Sequence, residues 1–417
     1  MNKQHKKIIV IGAGASGLMA AGEAAAAGAE VLLLEKMHRP GLKIGISGKG
    51  RCNLTNIADL PVFIEHFGKN GRFLRQAFNR FFALELIEFF TARGLEVVTE
   101  RGGRVFPKNG KALAVVRVLR RRVKESGVRI VPASPVKKLL VSGGRISGAD
   151  CGAKQYPCTA AILATGGASY PATGSSGDGY RLAGMLGHRI IEPRPALVPL
   201  ETLADVPELV GLHLRNIGLR LLINGKRVHQ ALGELVFMKY GISGPLVLRI
   251  SLMAVDALRR GDRVTVILDL KPGLDDHKLD VRLRRDFEQR CHEPLASVLR
   301  GLLPRELVGV ALGQAGLDGA REAGITPGKK RKKLRHWLKN FPLPISGFRG
   351  FDEAIVTAGG VDLAQVDPRT MQSKLVPGLY IAGELLDLQG DTGGYNLQAA
   401  FSTGWLAGRS AAASARK

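Results

Sequence analysis

Residues 12–17 read Gly-Ala-Gly-Ala-Ser-Gly and join a short apolar segment, 7–11, to an Ala-rich segment, 15–27. This spacing of glycines is typical of the turn between the first strand and the first helix of a dinucleotide-binding βαβ unit, where missing side chains permit a tight turn and close approach of a pyrophosphate. A second apolar segment, 30–34, completes the unit, and Glu35 follows it at the spacing expected for an acid that binds ribose hydroxyls. We therefore expect a Rossmann-type fold whose first helix points its N-terminus at phosphates.

A glycine-rich loop, residues 47–56, follows this unit and favours a flavin over a nicotinamide dinucleotide. It reads Ser-Gly-Lys-Gly-Arg-Cys-Asn-Leu-Thr-Asn. Such a loop can lie along the cofactor with Arg51 near the phosphates and Asn53 or Thr55 near the flavin ring. A second segment, residues 383–398, follows a predicted strand and begins a predicted helix. The N-terminus of that helix can stabilise negative charge on a reduced flavin.

The order of predicted elements indicates an α/β protein with an inserted domain. The Rossmann-type FAD-binding domain is expected to consist of residues 1–191 and 346–417, since strand patterns and a final helix, about 393–411, return near the end of the chain. Residues 192–345 begin with Pro-rich sequence and continue with alternating segments typical of strands. From about 274 to 340 the pattern becomes helical and basic. We therefore predict a β-rich substrate or cap domain that carries a basic helical part.

The chain resembles the BaiN-like family of bacterial FAD flavoproteins, which includes aminoacetone oxidase-type and ribosomal-RNA dihydrouridine synthase-type NAD(P)/FAD-dependent oxidoreductases. The likeness spans nearly the whole chain and rests on residues 12–17, 47–56, Ala164-Thr165-Gly166-Gly167, Gly241-Ile242-Ser243-Gly244-Pro245, Thr357-Ala358-Gly359-Gly360-Val361 and 383–398. It implies an oxidoreductase with one bound FAD. The residues that it places at the cofactor are Gly12, Gly14, Ser16, Gly17, Glu35, Lys36, Lys43, Ser47, Gly50, Arg51, Asn53, Thr55, Thr165, Gly166, Gly383, Glu384, Asp387, Gly394, Asn396 and Leu397.

Two positions depart from that family's pattern. Lys49 stands where a glycine is usual. Met238-Lys239 stand where Thr-His is common before Tyr240-Gly241, which is beside the predicted active site.

A proton donor is required if the enzyme reduces a C=C bond, because the flavin supplies only the hydride. Cys52, Tyr240 and Lys239 are the candidate catalytic residues, and His229 is a weaker one. For Cys52 the favoured interpretation is a buried packing thiol, since a reactive thiol needs an exposed and activated position.

We predict that the electron donor binds only transiently. No second Gly-x-Gly-x-x-Gly motif occurs in the sequence, so NADH or NADPH would dock briefly at the flavin, with O₂ as the alternative redox partner of an oxidase. The four cysteines form no CxxC pair and no zinc spacing, so no metal is expected. The sequence has no secretory signal pattern and no apolar stretch of about 18 residues, so we expect a cytoplasmic protein without a membrane span.

The charge is strongly positive, with 61 Lys and Arg against 36 Asp and Glu and a net charge of +25. Residues 101–124 hold nine basic residues and no acid, and residues 328–339 hold seven and no acid. One such run is typical of a solvated helix face. Together they favour nucleic acid as partner, with a membrane surface or simple solubility as alternatives. The candidate RNA-binding residues are Arg117, Arg120, Arg121, Lys124, Lys329, Lys330, Arg331, Lys332 and Lys333.

The second basic run also carries apolar residues at helical spacing. Leu334, Trp337, Leu338 and Phe341 should bury one face of a helix while its cations point outward. Trp337 is further considered as an aromatic that stacks on a displaced base.

Three hypotheses for function follow. The leading one is NAD(P)H-driven reduction of uridine to dihydrouridine in 23S ribosomal RNA. The second is a small-molecule flavoenzyme, either an amine oxidase or an enone reductase. The third is a non-catalytic, flavin-bearing RNA-binding protein. The sequence predicts neither the target nucleotide nor the oligomeric state.

Overall fold

The computed structural model describes residues 7–203 and 207–414 and divides the chain into two compact units. Unit 1 consists of Met1–Ala196 and Phe351–Lys417, and unit 2 of Leu197–Gly350. The predicted boundaries lie a few residues earlier in both places. The difference arises from strand pairing, because Ile190–Ala196 still pairs inside unit 1 and Phe341–Phe348 still pairs inside unit 2.

The secondary structure is numbered along the chain. The strands of unit 1 are β1 (Lys7–Ile11), β2 (Glu30–Leu34), β3 (Thr55–Asn56), β4 (Val97–Glu100), β5 (Arg104–Pro107), β6 (Arg129–Val131), β7 (Lys138–Ser142), β8 (Arg145–Asp150), β9 (Gln155–Pro157), β10 (Ala160–Leu163), β11 (Ile190–Ala196), β18 (Val356–Val361) and β19 (Leu379–Ile381). Its helices are α1 (Ala15–Ala26), α2 (Leu42–Ile46), α3 (Leu60–Glu65), α4 (Arg75–Phe78), α5 (Ala83–Thr91), α6 (Ala112–Glu125), α7 (Asp178–Gly184) and α13 (Tyr395–Ser414). Unit 2 contains β12 (Leu200–Thr202), β13 (His213–Ile223), β14 (Lys226–Met238), β15 (Gly241–Ser243), β16 (Val264–Asp269), β17 (Phe341–Phe348), α8 (Pro245–Arg259), α9 (Asp276–Gln289), α10 (Leu295–Leu299), α11 (Arg305–Ala315) and α12 (Gly328–Lys339).

Unit 1 is organised by a parallel sheet in the order β19-β10-β1-β2-β6. Residues 8–11 of β1 are all buried, as expected for a parallel strand covered on both faces. The predicted βαβ unit is confirmed: β1 and β2 have the expected bounds, and α1 ends one residue early. Because the strands are parallel, the carboxyl ends of β1, β2, β10 and β19 lie at one edge of the sheet, where such folds bind ligands.

The two chain segments of unit 1 are joined by close packing of α1 on α13. A Cβ at Gly404 would lie 2.3 Å from the Ser16 carbonyl oxygen, and one at Gly408 would lie 2.4 Å from that of Ala20. Only glycine permits this approach. The C-terminal helix is therefore part of the same core as the N-terminal βαβ unit.

Unit 2 is a closed antiparallel barrel in the order β12-β15-β14-β13-β16-β17, with helices attached to it. Its core combines barrel side chains with those of the helices α8–α12. The expected β-rich inserted domain with a helical part is thus observed. Among the helices that lie within residues 7–203 and 207–414, none is long and apolar enough to cross a membrane.

Candidate functional site

The glycine turn between β1 and α1 combines tight packing with one open position. A Cβ at Gly12 would lie 2.6 Å from the Ala164 carbonyl oxygen, and one at Gly17 would lie 1.8 Å from that of Gly12. At Gly14 the described part of the chain places no atom within 4 Å of such a Cβ. Gly12 and Gly17 therefore allow the turn itself, and Gly14 leaves room for a ligand beside it.

The N-terminus of α1 opens onto this room. Gly14 is the N-cap, and no side chain of the described residues caps the helix there. The first turn also contains no acid. The unpaired amide groups and the positive end of the helix dipole can therefore bind an anion such as a pyrophosphate.

Glu35 is buried at the end of β2 and braces the glycine turn. Its Oε2 accepts a hydrogen bond of 2.7 Å from the Ala13 amide, and its Oε1 accepts one of 2.8 Å from the Met37 amide. Each carboxylate oxygen keeps further acceptor capacity. The position is compatible with the predicted role of binding ribose hydroxyls.

Three of the predicted cofactor residues bury polar atoms that have no hydrogen-bond partner among the described residues. These atoms are Ser16 Oγ, Asn53 Oδ1 and Thr165 Oγ1. A buried polar atom without a partner is costly and rare. Together with the uncapped helix and the space beside Gly14, these atoms show that the residues fit a large polar cofactor of the FAD type.

The loop after α2 is held in an unusual backbone conformation. Gly48, Lys49, Gly50 and Cys52 all have positive φ angles, of 57°, 57°, 82° and 60°. For a residue with a Cβ this left-handed region costs on the order of 1 kcal/mol. The Lys49 position thus explains why glycine is usual there in the family that the sequence resembles.

Arg51, predicted to lie near phosphates, has partners within unit 1. Its guanidinium pairs with Glu100 and lies 4.3 Å from the centre of the Phe106 ring. Both side chains of the ion pair are partly exposed. A phosphate contact would require Arg51 to share or exchange this partner.

Cys52 has the environment of a packing residue. Its side chain is fully buried, and burial raises the pKa of its thiol to about 12. A thiol that is inaccessible and so weakly acidic is a poor proton donor. The structure therefore favours the packing interpretation that the sequence also favoured.

The segment from Gly383 onward is fastened to the rest of unit 1 by its acids. Glu384 accepts hydrogen bonds from Lys43 Nζ at 2.7 Å and from the Thr357 amide at 2.9 Å. Asp387 accepts one of 3.1 Å from the Gly359 amide. Two predicted cofactor residues, Lys43 and Glu384, thus lie together although 341 positions separate them.

Other predicted cofactor residues have structural partners of their own. Lys36 Nζ lies 2.5 Å from Asp178 Oδ2. Asn396 clamps Gly390 by accepting from its amide at 2.7 Å and donating to its carbonyl at 2.8 Å. Ser47 Oγ donates to the carbonyl of Ile44, which closes the C-terminus of α2.

The close approach of two predicted segments occurs at Gly394, where φ is +102° and a Cβ would lie 2.3 Å from the Thr55 carbonyl oxygen. Gly166, with φ of +75°, similarly faces the Ser175 hydroxyl. Leu397, in the first turn of α13, is half-buried. The structure therefore brings residues 47–56 and 383–398 together in one unit.

The sequence did not single out three polar groups that belong to the same unit. Gln389 Oε1 is buried and lacks a partner in the ranges that the structure describes, and the Tyr180 hydroxyl is buried beside Thr357. His66 Nδ1 lies 2.8 Å from Asp391 Oδ2. In the sequence, the one indication of their role is that Gln389 and Asp391 flank Gly390 in the predicted cofactor segment. This indication is too weak to predict a site residue.

The other catalytic candidates belong to unit 2. Lys239 is exposed, between β14 and β15. The Tyr240 ring lies 4.5 Å from the Arg349 guanidinium. His229 Nε2 is buried without a partner among the residues described. Their catalytic roles stay predictions.

Within residues 7–203 and 207–414, no group of three or more His, Cys, Asp or Glu side chains could hold a metal ion. The four cysteines are free.

The basic run of unit 1 forms one face of α6. Arg117, Arg120, Arg121 and Lys124 are exposed, while the opposite face is buried. An open concavity is lined by Arg117, Arg120, Arg121, Lys124, Val128 and Ile130. Of the four cations, Arg121 bonds the Arg93 carbonyl and approaches Glu125 at 3.9 Å. Arg117, Arg120 and Lys124 have no acidic partner in the described part of the chain.

The basic run of unit 2 lies on α12 and is divided between two roles. Lys329, Lys332 and Lys333 are exposed. Arg331 is instead turned toward the buried Asp280, with 3.4 Å between Nε and Oδ1. The prediction that Arg331 points outward to RNA is therefore corrected, because a buried carboxylate requires a cation.

The predicted apolar face of α12 is confirmed for Leu334, Trp337 and Leu338, which are buried. Phe341 is also buried, but it begins β17, because the helix ends at Lys339. Trp337 Nε1 donates a hydrogen bond of 2.6 Å to Gln314 Oε1. The suggestion that this indole stacks on a base is therefore wrong, because the ring is already packed in the core of unit 2.

Comparison with known proteins decides the family. The model of the HI0933-like protein Rossmann domain matches residues 6–410. The chain belongs to this family. It is 34% identical to a 3-dehydro-bile acid delta(4,6)-reductase of Clostridium scindens, over 97% of this chain and 99% of that protein. It is 30% identical to a ribosomal RNA dihydrouridine synthase of Haemophilus influenzae, over 96% of this chain and 97% of that protein.

A solved structure with the same fold is the open conformation of a flavocytochrome c3 fumarate reductase. The TM-score is 0.52 at 18% identity, and the match covers 100% of this chain and 79% of that one. This family member is thus an FAD-dependent oxidoreductase with the Rossmann-type fold that the sequence predicted, in agreement with the fitted cofactor residues of unit 1.

Proposed function

We propose that this protein reduces the C5=C6 bond of a uridine in 23S ribosomal RNA, with NADH or NADPH as its source of electrons. The observation that carries the proposal is the concave, cationic face of α6, where Arg117, Arg120 and Lys124 have no acidic partner among the described residues. Guanidinium groups bind phosphates in a bidentate manner. A relative named as a ribosomal RNA dihydrouridine synthase, at 30% identity over nearly the full length, supports the same substrate.

The position of this face suits a polymer. Arg122 of α6 lies 3.6 Å from Glu23, near the C-terminal end of α1. The cations from Arg117 to Lys124 extend roughly 10 Å along α6 at 1.5 Å per residue. Contacts to several anions over this length are of little use to a small substrate. They suit a polyanion that extends over several nucleotides.

In this proposal the residues of unit 1 bind the cofactor and take no part in the hydride transfer. The α1 N-terminus would bind the pyrophosphate, and Glu35 the ribose, while Ser16, Asn53 and Thr165 would regain hydrogen-bond partners. When bound, FAD supplies the hydride. A side chain must supply the proton that completes the saturated bond.

A second candidate function is reduction of a small enone. The 34% identical reductase named for a bile acid favours it. The two candidates share one chemistry, because C5=C6 of uridine is conjugated to a carbonyl as in an enone. They differ in the partner of the basic face. A small-molecule reductase should turn over at a rate that is insensitive to added RNA.

The test of the proposal is a mass map of dihydrouridine in ribosomal RNA from a strain that lacks the gene. We expect one position in 23S RNA to revert to uridine and to be restored by the wild-type gene. A complementing gene with Arg117, Arg120 and Lys124 replaced by Gln should restore it only in part. Persistence of every dihydrouridine in the deletion strain would contradict the proposal.

A further inference from the structure

His66 and Asp391 form a doubly bonded pair in unit 1. His66 directly follows α3, and Asp391 lies in the loop before α13. The Nδ1 atom of His66 is 2.8 Å from Asp391 Oδ2, and the Asp391 amide donates a bond of 3.1 Å to the His66 carbonyl. Backbone and side chain therefore fix the two residues relative to each other.

The imidazole ring is fixed in orientation as well. It stacks on the Tyr395 ring with 3.9 Å between centroids and 27° between planes. Its Nε2 has no hydrogen-bond partner among the described residues, and the side chain is 22% exposed. One ring nitrogen held by a carboxylate, with the other open, is the arrangement of a histidine that transfers protons.

The pair belongs to the segment that the proposal assigns to the cofactor. Asp391 follows Gly390, which Asn396 clamps from both sides. Asn70, four residues after His66, donates to Asp387 Oδ2 at 3.0 Å. The chain around His66 thus holds the segment from Asp387 to Asn396 in place.

Other titratable groups of unit 1 are less suited to deliver a proton. Cys52 is fully buried with a pKa of about 12. Burial also raises the pKa of the Tyr180 hydroxyl. Both ring nitrogens of the buried His188 are bonded, to the Ala183 carbonyl and the Ser373 hydroxyl. His38 is exposed and, within the described ranges, has no carboxylate to orient it.

We infer that His66 is the acid of the reductive reaction and that Asp391 orients it. The inference rests on the proposed function, because it assigns the proton that the reduction of a C=C bond requires. The double bond gains a hydride at one carbon, which bound FAD would supply with NADH or NADPH as the source of electrons, and a proton at the neighbouring carbon from protonated Nε2. The imidazole is left neutral and regains its proton from water.

The test separates the half-reactions of anaerobically reduced holoenzyme. The substrates are ribosomal RNA from the deletion strain and 2-cyclohexenone. In His66→Gln, we expect flavin reoxidation by these substrates to slow by about 10²- to 10⁴-fold. Reduction by NADPH, reoxidation by O₂, FAD affinity and the melting temperature should stay as in the wild type. His38→Gln, at an exposed histidine of the same unit, is the matched control and should behave as the wild type throughout.

A second variant separates proton transfer from packing. His66→Ala should be equally slow with both substrates and should regain rate when free imidazole is added, which a merely structural role would not produce. If His66→Gln does not retain FAD, Asp391→Asn is tested instead. This variant should slow the same half-reaction.

If the flavin of His66→Gln, or of Asp391→Asn used in its place, is reoxidised by the substrates at the wild-type rate, the assignment of His66 is overturned. The proposed function is not affected by that result. Failure of both substrates to reoxidise the wild-type flavin would overturn the proposed function and, with it, this assignment.

Discussion

The helices α6 and α12 carry similar runs of positive charge and use them differently. On α6, Arg117, Arg120 and Lys124 line an open concavity and have no acidic partner among the described residues. On α12, Arg331 and Arg335 turn back to the buried Asp280, at 3.4 and 3.5 Å. The first set of charges is available to a partner. The arginines of the second set instead neutralise a buried acid of unit 2.

Asp280 explains the difference. Its side chain is buried, and Arg284 of α9 joins the two arginines of α12 around it at 2.9 Å. Burial opposes ionisation of this carboxyl, but Arg331 and Arg284 outweigh it and hold its pKa below the usual range. A run of cations in a sequence therefore indicates a binding face only after the acids that it neutralises are known. We make four predictions that test this contrast, in decreasing order of size.

Removal of the buried carboxylate should destabilise unit 2 strongly. In Asp280→Ala, three arginines lose a common partner, and we expect the free energy of unfolding to fall by about 3 kcal/mol. Urea unfolding measures the change. Asp276→Ala is the matched control, because Asp276 is 68% exposed and pairs with Arg335 at 3.3 Å, and it should cost less than about 1 kcal/mol. Equal effects would remove the distinction between buried and exposed acids on α9.

Loss of the α6 cations should weaken RNA binding more than loss of an equal charge from α12. We expect Arg117→Gln/Arg120→Gln/Lys124→Gln to reduce affinity for ribosomal RNA by roughly tenfold to a hundredfold and to flatten its salt dependence by about 2 to 3 units of log–log slope. Lys329→Gln/Lys332→Gln/Lys333→Gln removes the same charge from a helix whose arginines are already paired. Fluorescence anisotropy at several salt concentrations measures both, and equal losses would break the comparison.

The stability of unit 2 should depend on pH through Asp280. Because the folded-state pKa of this carboxyl is depressed, its contribution is complete above its unfolded pKa of about 3.9 and is lost as the pH falls through the folded value. We expect wild-type protein to lose more stability than Asp280→Asn between about pH 5 and pH 2. Parallel curves for the two proteins would show that Asp280 is not the group that titrates.

The exposed ion pair on α6 should matter least. Arg121 and Glu125 are 3.9 Å apart, and both side chains are more than half exposed. We expect Glu125→Gln to change the free energy of unfolding by less than about 0.5 kcal/mol. RNA affinity should rise slightly, since one anion leaves the basic face. A drop in affinity would mean that Glu125 positions Arg121 for RNA.

The sequence was sufficient to predict the elements whose signals are local. The glycine turn after β1, the bounds of β1 and β2, and the apolar face of α12 all follow from periodicity and turn chemistry. The antiparallel sheet β7-β8-β9 was not predicted, because its strands are short and partly exposed and so lack a strong pattern. Boundaries between the units shifted because strand pairing, which is not local, decides where each unit ends.

The site was predictable where residue type and position act together, and not where partners are distant. The buried, unpaired atoms of Ser16, Asn53 and Thr165 fall on predicted cofactor residues. The pairing of His66 with Asp391 joins positions 325 apart, and no spacing rule connects them. Likewise, the sequence shows Arg331 as one more cation, and only the fold reveals Asp280 beside it.

The most direct test of the account is a reconstituted reaction. FAD-loaded protein and NADPH are mixed without oxygen with ribosomal RNA from the deletion strain, and dihydrouridine is measured by mass spectrometry at increasing salt. We expect dihydrouridine at one site of 23S RNA, in a yield that falls as salt rises and is lower for the α6 triple variant at every salt concentration. Absence of dihydrouridine from RNA treated with wild-type protein that still reduces 2-cyclohexenone would contradict the proposed function.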